Sequence, residues 1–254
     1  MATLSGIFDT AHAAWNYATI TLARHEEPAP WRDQYRMLKA SYLQNGSYEV
    51  LAKLPGAKLR FVGKQRGRVN SDYGLGLMVD ATLDEVRATD VLVVPGGFGA
   101  RKLQHDAQLL AWLRAIDETT QITASVCTGS LLLGAAGLLR GRRATTHWAF
   151  FDALAAHGAT PVSERTVRDG KYHTCAGVSA GIDHGLTLAI ELAGRPMAEL
   201  IQLAIEYDPA PPVQSGNPQR ADPALRERLF ELMHARDAEI NRSPEARSTA
   251  DARG

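Results

Sequence analysis

The chain has 254 residues, with 28 Lys and Arg against 28 Asp and Glu, and two cysteines, Cys127 and Cys175. That length can bury a large core with no disulfide or metal to staple it, and nothing in the balanced charge predicts a polyanion partner such as DNA. Two cysteines exclude a secreted disulfide framework and suit a reducing cytoplasm. No basic segment followed by an unbroken apolar core opens the chain, and no apolar run reaches about eighteen residues, so neither a signal peptide nor a membrane span is expected.

Residues 1–45 form a divergent N-terminal region. ATITL (18–22) is a candidate strand, and PAPW (28–31) breaks whatever precedes it. From there the signal sharpens. YEVLAKL (48–54) has helical spacing and stops at Pro55-Gly56. KLRFVG (58–63) reads as a strand, RVNSDYGLGLMVD (68–80) as short strands around a turn, and ATLDEV (81–86) as a short helix. DVLVVPGG (90–97) is a continuous apolar run ending in Pro-Gly-Gly, as in a strand buried on both faces of a parallel sheet. RKLQHDAQLLAWLRAIDE (101–118) is an amphipathic helix, ITASV (122–126) the next buried strand and TGSLLLGAAGLL (128–139) the next helix.

HWAFFDALAAHG (147–158) is a helix closed by Gly158, and TVRDGKYHTCAG (166–177) a hairpin with Asp169-Gly170 at its tip. Two more helices follow, SAGIDHGLTLAIELAG (179–194) and PMAELIQLAIEY (196–207). A proline-rich connector, PAPPVQSGNPQRADP, leads to a polar-faced final helix, PALRERLFELMHARDAEI, and to a tail, SPEARSTADARG, of disordered composition. Strands alternating with helices predict a three-layer α/β/α sandwich with a mostly parallel sheet. The chain divides into residues 1–45, a domain over 46–220, and a terminal helix with its tail over 221–254.

Ligands of such sheets sit at the carboxyl ends of the strands. Both Gly96-Gly97 and Cys127 fall there. A residue between a buried strand and a helix start occupies a nucleophile elbow, which lifts its side chain over the end of the sheet. The positive end of the helix and its unpaired N–H groups favour a thiolate at Cys127. The Thr128 N–H, with a second N–H from Gly97, makes a two-donor oxyanion hole, and Gly129 and Ser130 leave room for a ligand. The plain alternative is that Cys127 is a small buried hydrophobe at a helix start and that Gly96-Gly97 is an ordinary strand-ending turn.

Three stretches together, VLVVPGGFGAR, SVCTGSLLLGAAGLLRGRRATTHW and TCAGVSAGIDHGLTLAIEL, resemble the ThiJ/PfpI superfamily over roughly residues 47–220. IQLAIEYDPAPPVQSGNP resembles its isonitrile hydratase branch in particular. The resemblance implies a flavodoxin-like sandwich of the class I glutamine amidotransferase type, with Cys127 as nucleophile and Gly97 and Thr128 as oxyanion donors. Thr128 stands where some relatives carry the His of a Cys-His pair, which fits the hydratase branch. The implied chemistry is thiolate addition to an isonitrile carbon and hydrolysis to an N-formamide, with no metal or organic cofactor. The implied partners are a small-molecule substrate and a second copy of the chain, with no nucleic acid and no membrane.

One departure stands out. The family's acid falls on Leu43 in YLQNGSYEVL (42–51), and Ser47 replaces a proline. The usual first strand is missing from WRDQYRMLKAS before it. Asp9, Glu26, Glu27, Asp33 and Tyr42 are the alternative ionisable groups; Glu49 reads as a structural helix residue. Glyoxalase- or deglycase-like carbonyl chemistry, or a catalytically weak binding or regulatory role, are the alternatives. His173 and Cys175, two apart on a strand, are too few for a metal site, and Cys175 stands near the active site in the resemblance. His147 and Asp183 read as structural, Phe98 and Arg101 as bordering the pocket mouth. Arg226, Arg228, Glu231 and Arg236 form a solvated helix face.

Overall fold

The computed structural model describes residues 19–24, 46–70 and 76–241. Leu43, the alternative ionisable groups Asp9, Glu26, Glu27, Asp33 and Tyr42, the stretch WRDQYRMLKAS and the tail SPEARSTADARG lie outside the described residues. In chain order the elements are β1 (Thr19–Arg24), α1 (Gly46–Leu51), β2 (Ala57–Gly63), β3 (Gly67–Asn70), β4 (Gly76–Val79), β5 (Ala81–Thr82), β6 (Val91–Val94), α2 (Phe98–Leu103) and α3 (Ala107–Asp117). Then come β7 (Ile122–Val126), α4 (Gly129–Ala135), β8 (Arg143–Ala144), a 3-10 turn (Trp148–Phe150), α5 (Phe151–Ala156), β9 (Thr160–Pro161), β10 (Thr166–Asp169) and β11 (Tyr172–Cys175). Helices α6 (Ala180–Ala193), α7 (Arg195–Ala204) and α8 (Pro223–Asn241) complete the described chain.

The main sheet has the order β10-β11-β7-β6-β1-β2-β5. Strands β6, β7 and β11 pair in parallel, as do β2 and β5. Among the described strands of this sheet, only β1 and β10 run against their neighbours. The alternation within β6 decides how the layers form. Leu92 and Val94 join the apolar cluster under α2 to α5, while Val91 and Val93 join the cluster under α1, α6 and α7. Every β6 and β7 residue is therefore buried, and their unbroken apolar runs follow from helices on both faces. This is the expected three-layer, mostly parallel sandwich.

Some local expectations need correction. ATLDEV is no helix: Ala81 and Thr82 make a short parallel bridge to β2, and a turn follows. The helix expected over 101–118 is broken in two, because Asp106 accepts the Leu109 N–H and starts a new helix there. The hairpin turns one residue later than expected, since Asp169 pairs with Tyr172 and Gly170-Lys171 form the loop. The candidate strand near ATITL is present as β1. It fills the slot between β6 and β2, antiparallel to both.

The polar terminal helix α8 is not solvated all round. Asp237 accepts from two of the three Arg101 guanidinium nitrogens, Nε at 2.6 Å and Nη2 at 2.9 Å, in a largely buried pair that ties α8 to α2. His234 donates to the Ala149 carbonyl at 2.8 Å, and Phe230 packs against the His234 ring. Arg226, Arg228 and Glu231 are exposed as expected.

Candidate active site

Strand β7 carries the chain to Val126, and α4 begins at Gly129. Between them Cys127 has φ 56°, one of two described non-glycine residues with positive φ. A left-handed backbone costs an L-residue about 1–2 kcal/mol, so the surroundings must hold it. They do so from both sides. The Cys127 N–H is shared between the carbonyls of Cys175 (3.0 Å) and Ala176 (2.9 Å). The Cys127 carbonyl accepts from the hydroxyls of Ser130 and Thr146, each at 3.1 Å. Cys127 is 9 % exposed, and it is in no disulfide. The elbow expected from the sequence is thus formed, at the carboxyl end of the sheet.

The β6 end closes on it. A Cβ added to Gly96 would lie 2.7 Å from the Thr128 nitrogen and 2.8 Å from the Cys127 Cβ, so only glycine fits. Gly97 has φ 125°, a conformation that also favours glycine. Its N–H donates to Thr128 Oγ1 at 2.9 Å, and that hydroxyl donates back to the Gly97 carbonyl at 2.9 Å. The structure therefore brings Gly96, Gly97, Cys127 and Thr128 together. Of the two expected oxyanion donors, the Gly97 N–H is engaged by the Thr128 side chain. The Thr128 N–H has no partner among the described residues.

His147 stands beside this group. The Thr146 hydroxyl next to it holds the Cys127 carbonyl, and the His147 ring edge lies against Gly177. Its Nδ1 accepts the Ala149 N–H and caps the 3-10 turn, as a structural role requires, so the ring proton sits on Nε2. Burial pushes its pKa down to about 4, which keeps the ring neutral near pH 7. Asp183 is also structural, accepting from Arg165 Nε and, at 2.7 Å, from the Tyr207 hydroxyl. Arg101 is committed to Asp237.

Cys175 is fully buried beside the elbow, and burial pushes its thiol well above the ordinary range. His173 lies deeper on β11, buried against His184 with ring centroids 6.2 Å apart, and its Nε2 is 3.6 Å from Glu191. Among the described residues no group of three or more His, Cys, Asp or Glu is arranged to hold a metal ion. No described helix is long and apolar enough to cross a membrane. Thr146 and His184 were not singled out from the sequence. The TTHW stretch that contains Thr146 carried the only signal for it; His184 had none, because its contact with His173 joins distant elements.

The comparisons with known proteins agree with this architecture. Residues 43–191 match the model of the DJ-1/PfpI family. An isonitrile hydratase of Pseudomonas putida is 49 % identical over 180 residues, 71 % of this chain and 79 % of that protein. A transcriptional regulator of the helix-turn-helix type, CdhR of Pseudomonas aeruginosa, is 34 % identical over 134 residues, 52 % of this chain but 40 % of the regulator. A crystal structure of a ThiJ/PfpI family protein from Pseudomonas syringae superposes with a TM-score of 0.74 at 36 % identity, covering 85 % of this chain and 97 % of the other. A matched model spanning more than half of the chain, an elbow cysteine at the expected strand end and a shared sandwich lead to one conclusion: the chain belongs to the DJ-1/PfpI family.

Proposed function

We propose that the chain is a cysteine-dependent, cofactor-free hydratase that converts a small isonitrile, R–N≡C, to the N-formamide R–NH–CHO. The observation that carries this reading is Cys127 on its left-handed elbow beside the Thr128 N–H, in a chain 49 % identical to an isonitrile hydratase. The Cys127 thiolate adds to the terminal carbon, and a proton delivered to that carbon gives a thioimidate. Water adds to the thioimidate carbon, and the adduct collapses, expelling the thiolate and releasing the formamide. One water is consumed and the cysteine is regenerated.

Charge that develops on the adduct is met by the Thr128 N–H, with the Gly97 N–H joining when the Thr128 hydroxyl rotates away. The family's acid position falls on Leu43, so the proton comes from elsewhere: the one that Cys127 releases on ionising, carried by water, balances the step, while His147 stays neutral and structural. Positioned proton transfer is worth about 10²–10⁴ in rate, so the loss of the usual acid predicts a slow enzyme rather than an inert one. Leu200 and Leu203, exposed on α7, give the implied homodimer an apolar surface.

A second reading, a weakly catalytic or binding role, is favoured by the Gly97–Thr128 pair, which leaves one of the two donors engaged. N-formamide formation from an aryl isonitrile, compared between the native chain and Cys127→Ala, separates the two. Cysteine-dependent turnover supports the hydratase. Cysteine-dependent loss of a dicarbonyl without formamide moves the reaction to glyoxalase- or deglycase-like chemistry. No turnover of either by the folded protein leaves the binding role.

A further inference from the structure

The proposed reaction uses one thiol, yet the structure sets a second beside it. Strands β7 and β11 pair in parallel with Val126 opposite Cys175, so Cys127 lies one residue beyond that register. Adjacent strands are about 4.8 Å apart and one residue advances about 3.3 Å, which puts the two Cα atoms roughly 6 Å apart, inside the range a disulfide spans. The backbone is locked in this arrangement, because the Cys127 N–H donates to the Cys175 carbonyl at 3.0 Å. Both side chains belong to the same apolar cluster under α1, α6 and α7. The same Cys127 N–H lies near enough to the Cys175 sulfur to favour its ionised form, against burial and the charge of Cys127, which oppose it. Cys175 is 0 % exposed and Cys127 9 %. A dissolved oxidant thus meets Cys127 first.

From this juxtaposition we propose that Cys175 is a resolving thiol, which captures Cys127 as an intramolecular disulfide after a hydroperoxide has oxidised it. In the first step the Cys127 sulfur attacks the terminal oxygen of ROOH. The O–O bond breaks, the alkoxide takes a proton and leaves as ROH, and Cys127 becomes a sulfenic acid, oxidised by two electrons. In the second step the Cys175 sulfur attacks the Cys127 sulfur. The S–O bond breaks, and the hydroxyl leaves with the Cys175 proton as water. Without a resolving thiol, a second peroxide carries the sulfenic acid to a sulfinic acid, which thiols do not reduce. The disulfide therefore silences the elbow reversibly and shields it from permanent loss.

The test is mass spectrometry of the whole chain after stepwise hydrogen peroxide, with free thiols blocked before digestion. The native chain is expected to lose two hydrogen masses, to yield a peptide linking Cys127 to Cys175 within one chain, and to regain its original mass in dithiothreitol. Cys175→Ala is expected to gain two oxygen masses at Cys127, at least tenfold faster than the native chain and without recovery in dithiothreitol; Cys175→Ser, closer in size, repeats the measurement. The peptide map of the native chain decides the matter even if both variants fold poorly. Sulfinic acid accumulating in the native chain as fast as in the variants overturns the proposal, as does a disulfide that joins two chains.

Discussion

The two ends of the β7–β11 pair are built in opposite ways. At the amino end, Asp117 is buried with both oxygens engaged. Thr123 Oγ1 donates to Oδ1 at 2.6 Å, the Tyr172 hydroxyl to Oδ2 at 2.9 Å, and Lys171 Nζ stands 3.1 Å from Oδ2. Burial and then this carboxylate push the Tyr172 pKa up to about 12. At the carboxyl end a cysteine is held in a left-handed conformation, a glycine is pressed against it, and the Thr128 N–H lacks a partner among the described residues. A fully satisfied buried polar network holds a structure together, whereas strain and unspent hydrogen-bonding capacity collect where chemistry is done.

Substitutions at the two ends should therefore separate activity from stability. The largest effect is expected from Cys127→Gly, which should reduce formamide formation to the rate in buffer. It should also unfold at higher urea than Cys127→Ala, by about 1 kcal/mol, because glycine accepts the left-handed backbone; the reverse order would mean that the elbow is unstrained in solution. Gly96→Ala drives a methyl group against Cys127 and Thr128 and is expected to lower kcat/KM about a hundredfold with an unchanged circular dichroism spectrum. At the other end, Asp117→Ala should cost about 3 kcal/mol in urea unfolding while the folded fraction keeps its kcat. Lost turnover in folded Asp117→Ala would erase the contrast between the ends.

A fourth effect concerns acid. Burial lowers the pKa of His184 to about 3 and lowers that of His173, on which Glu191 acts in the opposite sense and Arg168 in the same one. The unfolded chain binds these protons near pH 6.5, and the folded chain does not. Stability is therefore full above about pH 6.5 and falls as the pH drops toward 3, by about 2 kcal/mol at pH 5 for a group held neutral like His184. Urea midpoints from pH 7 to 5 measure the slope, and His184→Leu should flatten it. The smallest effect is expected from Thr128→Val, which frees the Gly97 N–H but removes the hydroxyl that holds the loop. A change in kcat of no more than about tenfold is expected, and a far larger one would make that hydroxyl itself a proton donor.

Much of this was legible in local sequence. DVLVVPGG and ITASV read as doubly buried strands because helices cover both sheet faces, and the elbow was legible because a strand-to-helix junction is a local event. What escaped was long-range. ATITL is too short and mixed in character to show either the unbroken apolar run of a parallel strand or a clean alternation, so the direction of β1 was not to be had from it. Ala81–Thr82 is a strand only because β2 lies beside it. The docking of α8 rests on Arg101 and Asp237, 136 residues apart, and the Gly97–Thr128 bond likewise joins two separate loops.

The position of β1 has a consequence for how the chain is made. Its two neighbours are encoded after it: Leu22 pairs with Leu59 on one side and with Val91 on the other. During synthesis Thr19–Arg24 leaves the ribosome before either edge that will receive it exists, and the middle of the sheet cannot zip until β6 has emerged. Contacts of such separation form slowly, and strand edges exposed meanwhile invite pairing with other chains. The nascent chain is thus expected to depend on a holdase until β6 is translated, a demand on the cell that the finished, doubly covered sheet no longer displays.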